Sequence, residues 1–372
     1  MKVLFITLPA PDHQTDQMHT GLCSILGTEN VVDFPPKSTY HDPSAKVWFV
    51  PQSLSASSSS SEEDIIEGLF QHQFTCICFA PRPIALSTLD FLRKSQAPLP
   101  PLILLDGEED TRIRHELLTR YPIRLYFKRD YAWGTRNRVW DFIDAARSFH
   151  WDRSLFSQTY PLPLGVSLQT IPPPPSVERT IDISYTGRSS HPCRPKVVIK
   201  LKQPTTFQFD GGLYRDPDDQ PYKMKGPWME RLKDKHFPST ANPPNYEVSR
   251  LSPNADNQGN NPYFNQIFQS KIAVSLRGGG LTPPIRYYEI IACRTLLLSD
   301  IPYSVIPNNF IHKLHAVFFK RDLSDLVDLA EYYLRHDAER QEIIKQGYQH
   351  LVNYHTCEKR AEYFLDICRK AL

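Results

Sequence analysis

The chain has 372 residues, a formal net charge of +2, 40% hydrophobic and 12% aromatic residues. That length suits about two domains, each with its own core. The near balance of 43 basic and 41 acidic residues argues against a dedicated nucleic-acid binder, which carries a strongly basic face.

The apolar pattern begins with a strand over residues 2–8, an apolar run too short for a signal peptide. A helix over 15–26, capped near Thr15, follows, then strands over 30–34 and 46–50. The serine-rich stretch 53–64 is low-complexity loop, and 63–73 is helical. Runs 74–80, 101–106 and 123–128 have buried-strand length. Strands separated by helices imply right-handed βαβ units and a parallel sheet. Four consecutive prolines, Pro172–Pro175, favour an extended linker over 171–178 that joins neither sheet. The pattern then restarts with a strand (180–187), a helix (195–202), a proline-rich polar stretch to about 260 and a strand (271–276). Residues 324–355 form an amphipathic helical pair with a stop near His336 and Asp337, and 357–372 a last helix. The expected organisation is an N-terminal Rossmann-like domain (1–170), the linker, a C-terminal Rossmann-like domain (179–355) and a helix (356–372) free to pack back on the first domain. Two such domains leave a cleft between parallel sheets, a default place for ligands.

The 33 prolines predict stiffened loops. The seven cysteines are odd in number, show no paired CxxC spacing and fall partly in apolar runs. They read as small buried hydrophobes in a reducing compartment. No apolar segment approaches the roughly 20 residues needed to span a bilayer. A cytoplasmic, soluble protein is expected.

One stretch carries chemistry. "SLRGGGLTPPIRYYEIIACRTLLLSD" (275–300) is a buried strand, three glycines, a helix with Arg286 and Glu289, and a second buried strand. In a doubly wound sheet this glycine loop and helix start fall at the carboxyl ends of the strands, where ligands bind. Glycines let the backbone approach a ligand, and helix-start N–H groups favour anions. Arg286 has fork geometry suited to phosphate, and Glu289 could accept two hydroxyls, as a ribose diol supplies. A tight turn with a surface Arg–Glu pair three residues apart accounts for the same pattern.

Residues 271–300 and the tail to about 365 resemble the C-terminal half of GT-B-fold glycosyltransferases, nearest the CgeB-like (spore maturation protein-like) group and more distantly the exostosin group. "DISYTGRSSHPCR" (182–194) is similar to the start of that domain, and "DHQTDQMHTGL", "LLDGEED" and "YFKRDY" resemble the N-terminal half more loosely. The resemblance implies a two-domain GT-B-like fold and a nucleoside diphosphate sugar as donor substrate, with no further cofactor and no obligatory metal. Carried over, Glu289 meets the donor ribose, and Arg286 and Arg277 meet its diphosphate beside Gly278, Gly279 and Gly280. Gly187 and Arg188 face the donor, with Arg194 and Lys196 as weaker candidates. Many retaining members place a glutamate eight positions before the helix glutamate, where this chain has Leu281. The sugar, nucleotide base, acceptor, stereochemistry and oligomeric state stay open.

Other constellations carry both a functional and a bland reading. His13, oriented by Asp12 or Asp16, could take a proton from an acceptor hydroxyl; Thr15 and Asp16 could equally be helix caps. Asp106, Glu108, Glu109 and Asp110 follow a strand, and Asp216 and Asp218 have Asp-x-Asp spacing, but both groups read as solvated loops. Lys128, Arg129 and Asp130 end a strand as a surface cluster or an acceptor-side lining. A nucleotide-sugar epimerase and a non-catalytic binding module are the rival functions on this architecture.

Overall fold

The computed structural model describes residues 1–42, 44, 45, 47–51, 60–134, 139, 143, 159–175, 178–189, 191, 193–203, 206–214, 250, 251 and 261–372. Strands β1 (Val3–Ile6), β2 (Val31–Phe34), β3 (Cys76–Phe79), β4 (Leu102–Asp106), β5 (Ile123–Lys128) and β6 (Thr159–Pro161) form one sheet in the order β2-β1-β3-β4-β5-β6. All its pairings are parallel, and strands such as VLFI, CICF and LILLD are buried on both faces because helices cover both. Among the described residues these helices include α1 (His13–Leu26), α2 (Ser38–His41), α3 (Glu62–Phe70), α4 (Pro83–Lys94) and α5 (His115–Arg120).

The second sheet contains β7 (Ile181–Arg188), β8 (Phe209–Tyr214), β9 (Ser270–Ser275), β10 (Leu296–Asp300) and β11 (Val317–Phe319), also wholly parallel, in the order β8-β7-β9-β10-β11. Its helices are α6 (Cys193–Lys202), α7 (Pro262–Gln269), α8 (Ile285–Ala292), α9 (Leu326–Arg335) and α10 (Asp337–Tyr354). Both sheets thus place their second strand outside the first and continue on the other side. Each has a switch point, between β1 and β3 and between β7 and β9, where the connections diverge and a crevice opens.

The last helix, α11 (Cys357–Ala371), lies against α1 and the N-terminal sheet, with Phe364, Leu365 and Cys368 in one core with Phe5, Leu22 and Phe127. Gly21 permits this approach: a Cβ there would stand 2.1 Å from the Cys357 carbonyl oxygen. Just before it, the chain crosses the segment at Val166, which exchanges backbone bonds with His355 and Cys357.

Several expectations change in detail. Helix α1 begins at His13 and is capped by Asp12, whose carboxylate accepts from the Thr15 N–H and hydroxyl at 2.9 Å each. The strand expected over 46–50 is a turn over the described residues 47–50, closed by the Val50 N–H on the Val47 carbonyl. Its apolar residues are buried between the domains rather than in a sheet: Phe49 and Val50 join Tyr263, Phe264 and Ile267 of α7 in one core. Strands β6, β8 and β11 fall where no strand was expected. In β8, Gly211 (φ +117°) opposes Tyr185 so closely that a Cβ would lie 2.0 Å from the Tyr185 carbonyl oxygen, so its glycines serve backbone approach. Among the described residues no helix is long and apolar enough to cross a membrane, and the seven cysteines are free thiols.

Candidate active site

The C-terminal switch point is held by an arginine that sequence reasoning ranked low. Arg194, in α6, donates to the carbonyls of Arg188 (2.8 Å), Leu276 (3.0 Å) and Arg277 (3.0 Å). It therefore staples the outgoing ends of β7 and β9 and fixes both segments expected to face a donor, Gly187–Arg188 and Arg277–Gly280. Gly187 itself has little room, since a Cβ would stand 2.3 Å from the Tyr185 hydroxyl.

Arg286 and Glu289 meet through a tyrosine. Arg286 donates to the Thr186 carbonyl and, at 3.3 Å, to the Tyr263 hydroxyl, with its guanidinium over the rings of Tyr263 and Tyr185. The Tyr263 hydroxyl in turn donates to Glu289 at 2.5 Å. Glu289 is 1% exposed, and burial pushes its carboxyl up to about 7 against the pull of Tyr263 and Arg286. The surface Arg–Glu pair is therefore not what forms. Glu289 points from α8 toward α7, and one of the carboxyl oxygens expected to accept a diol is held by Tyr263. Arg277 is half-buried: its N–H donates to Asp300 (3.2 Å), its guanidinium approaches the same carboxylate (3.4 Å) and lies over Tyr303, as does that of Arg321. Gly278 is roomier, the nearest atom to a Cβ being Glu109 Oε2 at 3.7 Å, while Gly279 faces the same carboxylate at 3.1 Å.

At the N-terminal switch point, His13 opens α1 with its ring 4.1 Å from that of Phe49 and 5.6 Å from that of Trp48. Its Nδ1 is buried without a hydrogen-bond partner among the described residues. Burial, then the charge of Arg129, lower its pKa to about 4, opposed by Asp12 and Glu109. It is neutral at ordinary pH. Asp16, expected beside it, is wholly buried and committed elsewhere, to Lys37, the Tyr40 hydroxyl and the Asp12 N–H. That makes Asp16 the anchor of the loop, and its carboxyl is pushed up by burial and drawn down by Lys37.

The carboxylates at the end of β4 split into two groups: Asp106 and Asp110 share Lys128 and Arg114, while Glu108 and Glu109 turn to other partners. Asp106 is buried against Lys128 (3.0 Å) and the Tyr126 hydroxyl, Glu108 pairs with Arg82 (2.7 Å), and Asp110 lies 3.5 Å from Arg114. Glu109 alone turns to the glycine loop, paired with Arg129 at 2.7 Å. Asp216 and Asp218 lie outside the described residues. Sequence reasoning missed Tyr185 and Tyr263 and read Glu109 only as part of a solvated carboxylate run, because no local spacing joins residues that only the strand order and the domain contact bring together.

A family model described as "Glycosyl transferase-like" matches residues 229–366. No curated protein matches the chain in sequence. In fold, a glycosyltransferase from Rickettsia africae ESF-5 is similar over 100% of this chain and 98% of its own, with a TM-score of 0.59 and 11% identity. HepE from Anabaena, solved with UDP-glucose, is similar over 100% of both chains, with a TM-score of 0.57 and 9% identity. Sucrose-phosphate synthase from Thermosynechococcus elongatus is similar over 99% of this chain and 98% of its own, with a TM-score of 0.54 and 13% identity. The chain has the two-domain GT-B fold.

Proposed function

We propose that the chain is a glycosyltransferase that moves a sugar from a nucleoside diphosphate sugar, held at the β7/β9 switch point, to an acceptor hydroxyl presented by the N-terminal domain. One observation carries the reading. Arg194 and Arg286 stand at the ligand edge of the C-terminal sheet with hydrogen-bond partners that are neutral oxygens, so their charge remains available to an anion. The glycosyltransferase-like match over 229–366 and the UDP-glucose in the similarly folded HepE support the same donor class.

In this reading Glu289 accepts from the donor ribose once Tyr263 turns aside, and Arg286, Arg188 and Arg277 face the diphosphate. Their charge stabilises the leaving group, so no metal is required for that task. Neutral His13 takes the proton from the acceptor hydroxyl as its oxygen bonds to the anomeric carbon and the bond from that carbon to the diphosphate oxygen breaks. Leu281 in place of a second glutamate favours inversion at that carbon. The sheltered free thiols suit a cytoplasmic enzyme.

The test incubates the protein with a panel of nucleotide sugars, with and without sugar and alcohol acceptors, and identifies products by mass spectrometry. Release of nucleoside diphosphate with a glycosylated acceptor is expected. An isomerised donor without acceptor would mean an epimerase. Binding with no turnover, even of slow donor hydrolysis, would mean a binding module.

A further inference from the structure

The glycine loop is gripped from the opposite domain. Asp130, two residues beyond β5, is wholly buried. Its carboxylate accepts from the Leu281 N–H (2.9 and 3.0 Å), the Thr282 N–H (2.6 Å) and the Thr282 hydroxyl (2.5 Å), which can turn instead to the Arg129 carbonyl at 2.8 Å. Next to it the Tyr131 carbonyl accepts from the Val305 N–H at 2.7 Å, so residues 129–131 lie along the C-terminal domain. Gly280 is shaped to this contact: a Cβ there would stand 2.4 Å from Asp130 Oδ2, whereas at Gly278 the nearest atom is 3.7 Å away. Two consecutive N–H groups and a hydroxyl converging on one carboxylate form an anion nest filled by the protein itself.

We infer that Asp130 is a positioning residue, an interdomain clasp that fixes the glycine loop and the start of α8 against the N-terminal domain and holds the two switch points in register. The inference rests on the proposed function only in treating this loop as the donor loop; the clasp itself needs no nucleotide. Charge-assisted bonds to N–H donors are the strong ones, and removing their acceptor leaves buried donors without partners. Asp130 thereby couples loop geometry to the domain arrangement that brings His13 to the donor.

Hydrogen exchange on the full chain without ligand tests this directly. Pro283 and Pro284 have no amide hydrogen, so a peptide spanning 279–285 reports chiefly on Leu281 and Thr282. Asp130→Ala and Gly280→Ala are each expected to speed exchange there by about tenfold or more, while peptides from β9 stay protected. Thr282→Val keeps both N–H bonds and should show a smaller rise of a few-fold. It decides the matter if circular dichroism shows the other two unfolded. Gly278→Ala should exchange in this peptide like wild type. Wild-type amides at 281 and 282 that exchange as fast as those of the variants would overturn the clasp. Tighter nucleoside diphosphate binding by Asp130→Ala would overturn it too, since Asp130 would then be a competitor for the anion site. Faster exchange in a protein that binds no nucleotide would leave the clasp standing and remove the donor reading; unchanged exchange in one that binds would do the reverse.

Discussion

The two sheets share one strand order but treat charge differently at their outgoing edges. Along the outgoing edge of the N-terminal sheet, Asp16 in α1 is sealed with Lys37, and Asp106 with Lys128 at the ends of β4 and β5, each pair buried and matched in sign. At the C-terminal one, Arg277 is paired with Asp300, but Arg194 and Arg286 are hydrogen-bonded to carbonyl and hydroxyl oxygens, and Glu289, next to Arg286, keeps its proton up to about pH 7. A matched buried pair is a rigid scaffold with little field outside it, whereas an arginine on neutral acceptors projects its charge. The first arrangement suits the presentation of a neutral acceptor hydroxyl, the second the capture of a diphosphate.

If that division holds, the largest effect comes from the neutral base of the first region. His13→Ala is expected to lower the transfer rate by about 10²–10⁴-fold with donor affinity unmoved. Burial and Arg129 place the histidine's pKa at about 4, so the acid limb of the wild-type rate should lie near there, well below the ordinary 6.5. A rate profile on both proteins checks this, and a mutant with near-normal transfer would shift the role to Glu109 or Asp12.

The next effect sharpens the contrast through stability. Glu289 rises from 4.5 to about 7 on folding, so the folded state holds a proton that the unfolded chain releases. Its contribution is full below about pH 4.5 and is lost as the pH climbs to about 7. Glu289→Gln keeps an acceptor for Tyr263 and removes the titration. Denaturant unfolding should therefore show a flatter pH dependence, by up to about 3 kcal/mol across that window. Identical slopes in the two proteins would mean that Glu289 is ionised when folded.

Smaller still, Arg286→Lys keeps the charge but loses the fork that reaches both Thr186 and Tyr263. Affinity for a nucleoside diphosphate should fall about tenfold more than for the nucleoside, the worth of one charge-assisted hydrogen bond. Equal losses would make Arg286 purely a brace. The mildest change is Arg129→Gln, which removes a cation beside His13 and should move the acid limb of the rate upward from about 4.

Much of the fold was legible because buried parallel strands are near-continuous apolar runs: VLFI, CICF, LILLD and SKIAVS stand out against their polar connections. Other strands were not. FDGGLY carries glycines for backbone approach rather than strand-forming side chains, and VFF is only three residues long. Residues 47–50 misled because an apolar run buried between domains looks the same as one buried in a sheet. At the site, the glycine loop, Arg286 and Glu289 lay in one quoted stretch. Tyr263, 26 positions from Glu289, and Asp130, 151 from Leu281, became visible only through the fold.

The claim that the β7/β9 switch point holds the donor is tested most directly by calorimetric titration of wild type and Glu289→Ala with a series of nucleoside diphosphates. One nucleoside diphosphate is expected to bind the wild type with a stoichiometry near 1:1, and Glu289→Ala to weaken that binding by about 1.5–3 kcal/mol above pH 7, where the carboxylate is charged. A dissociation constant unchanged in a folded Glu289→Ala protein, or no binding by any member of the series, would contradict it.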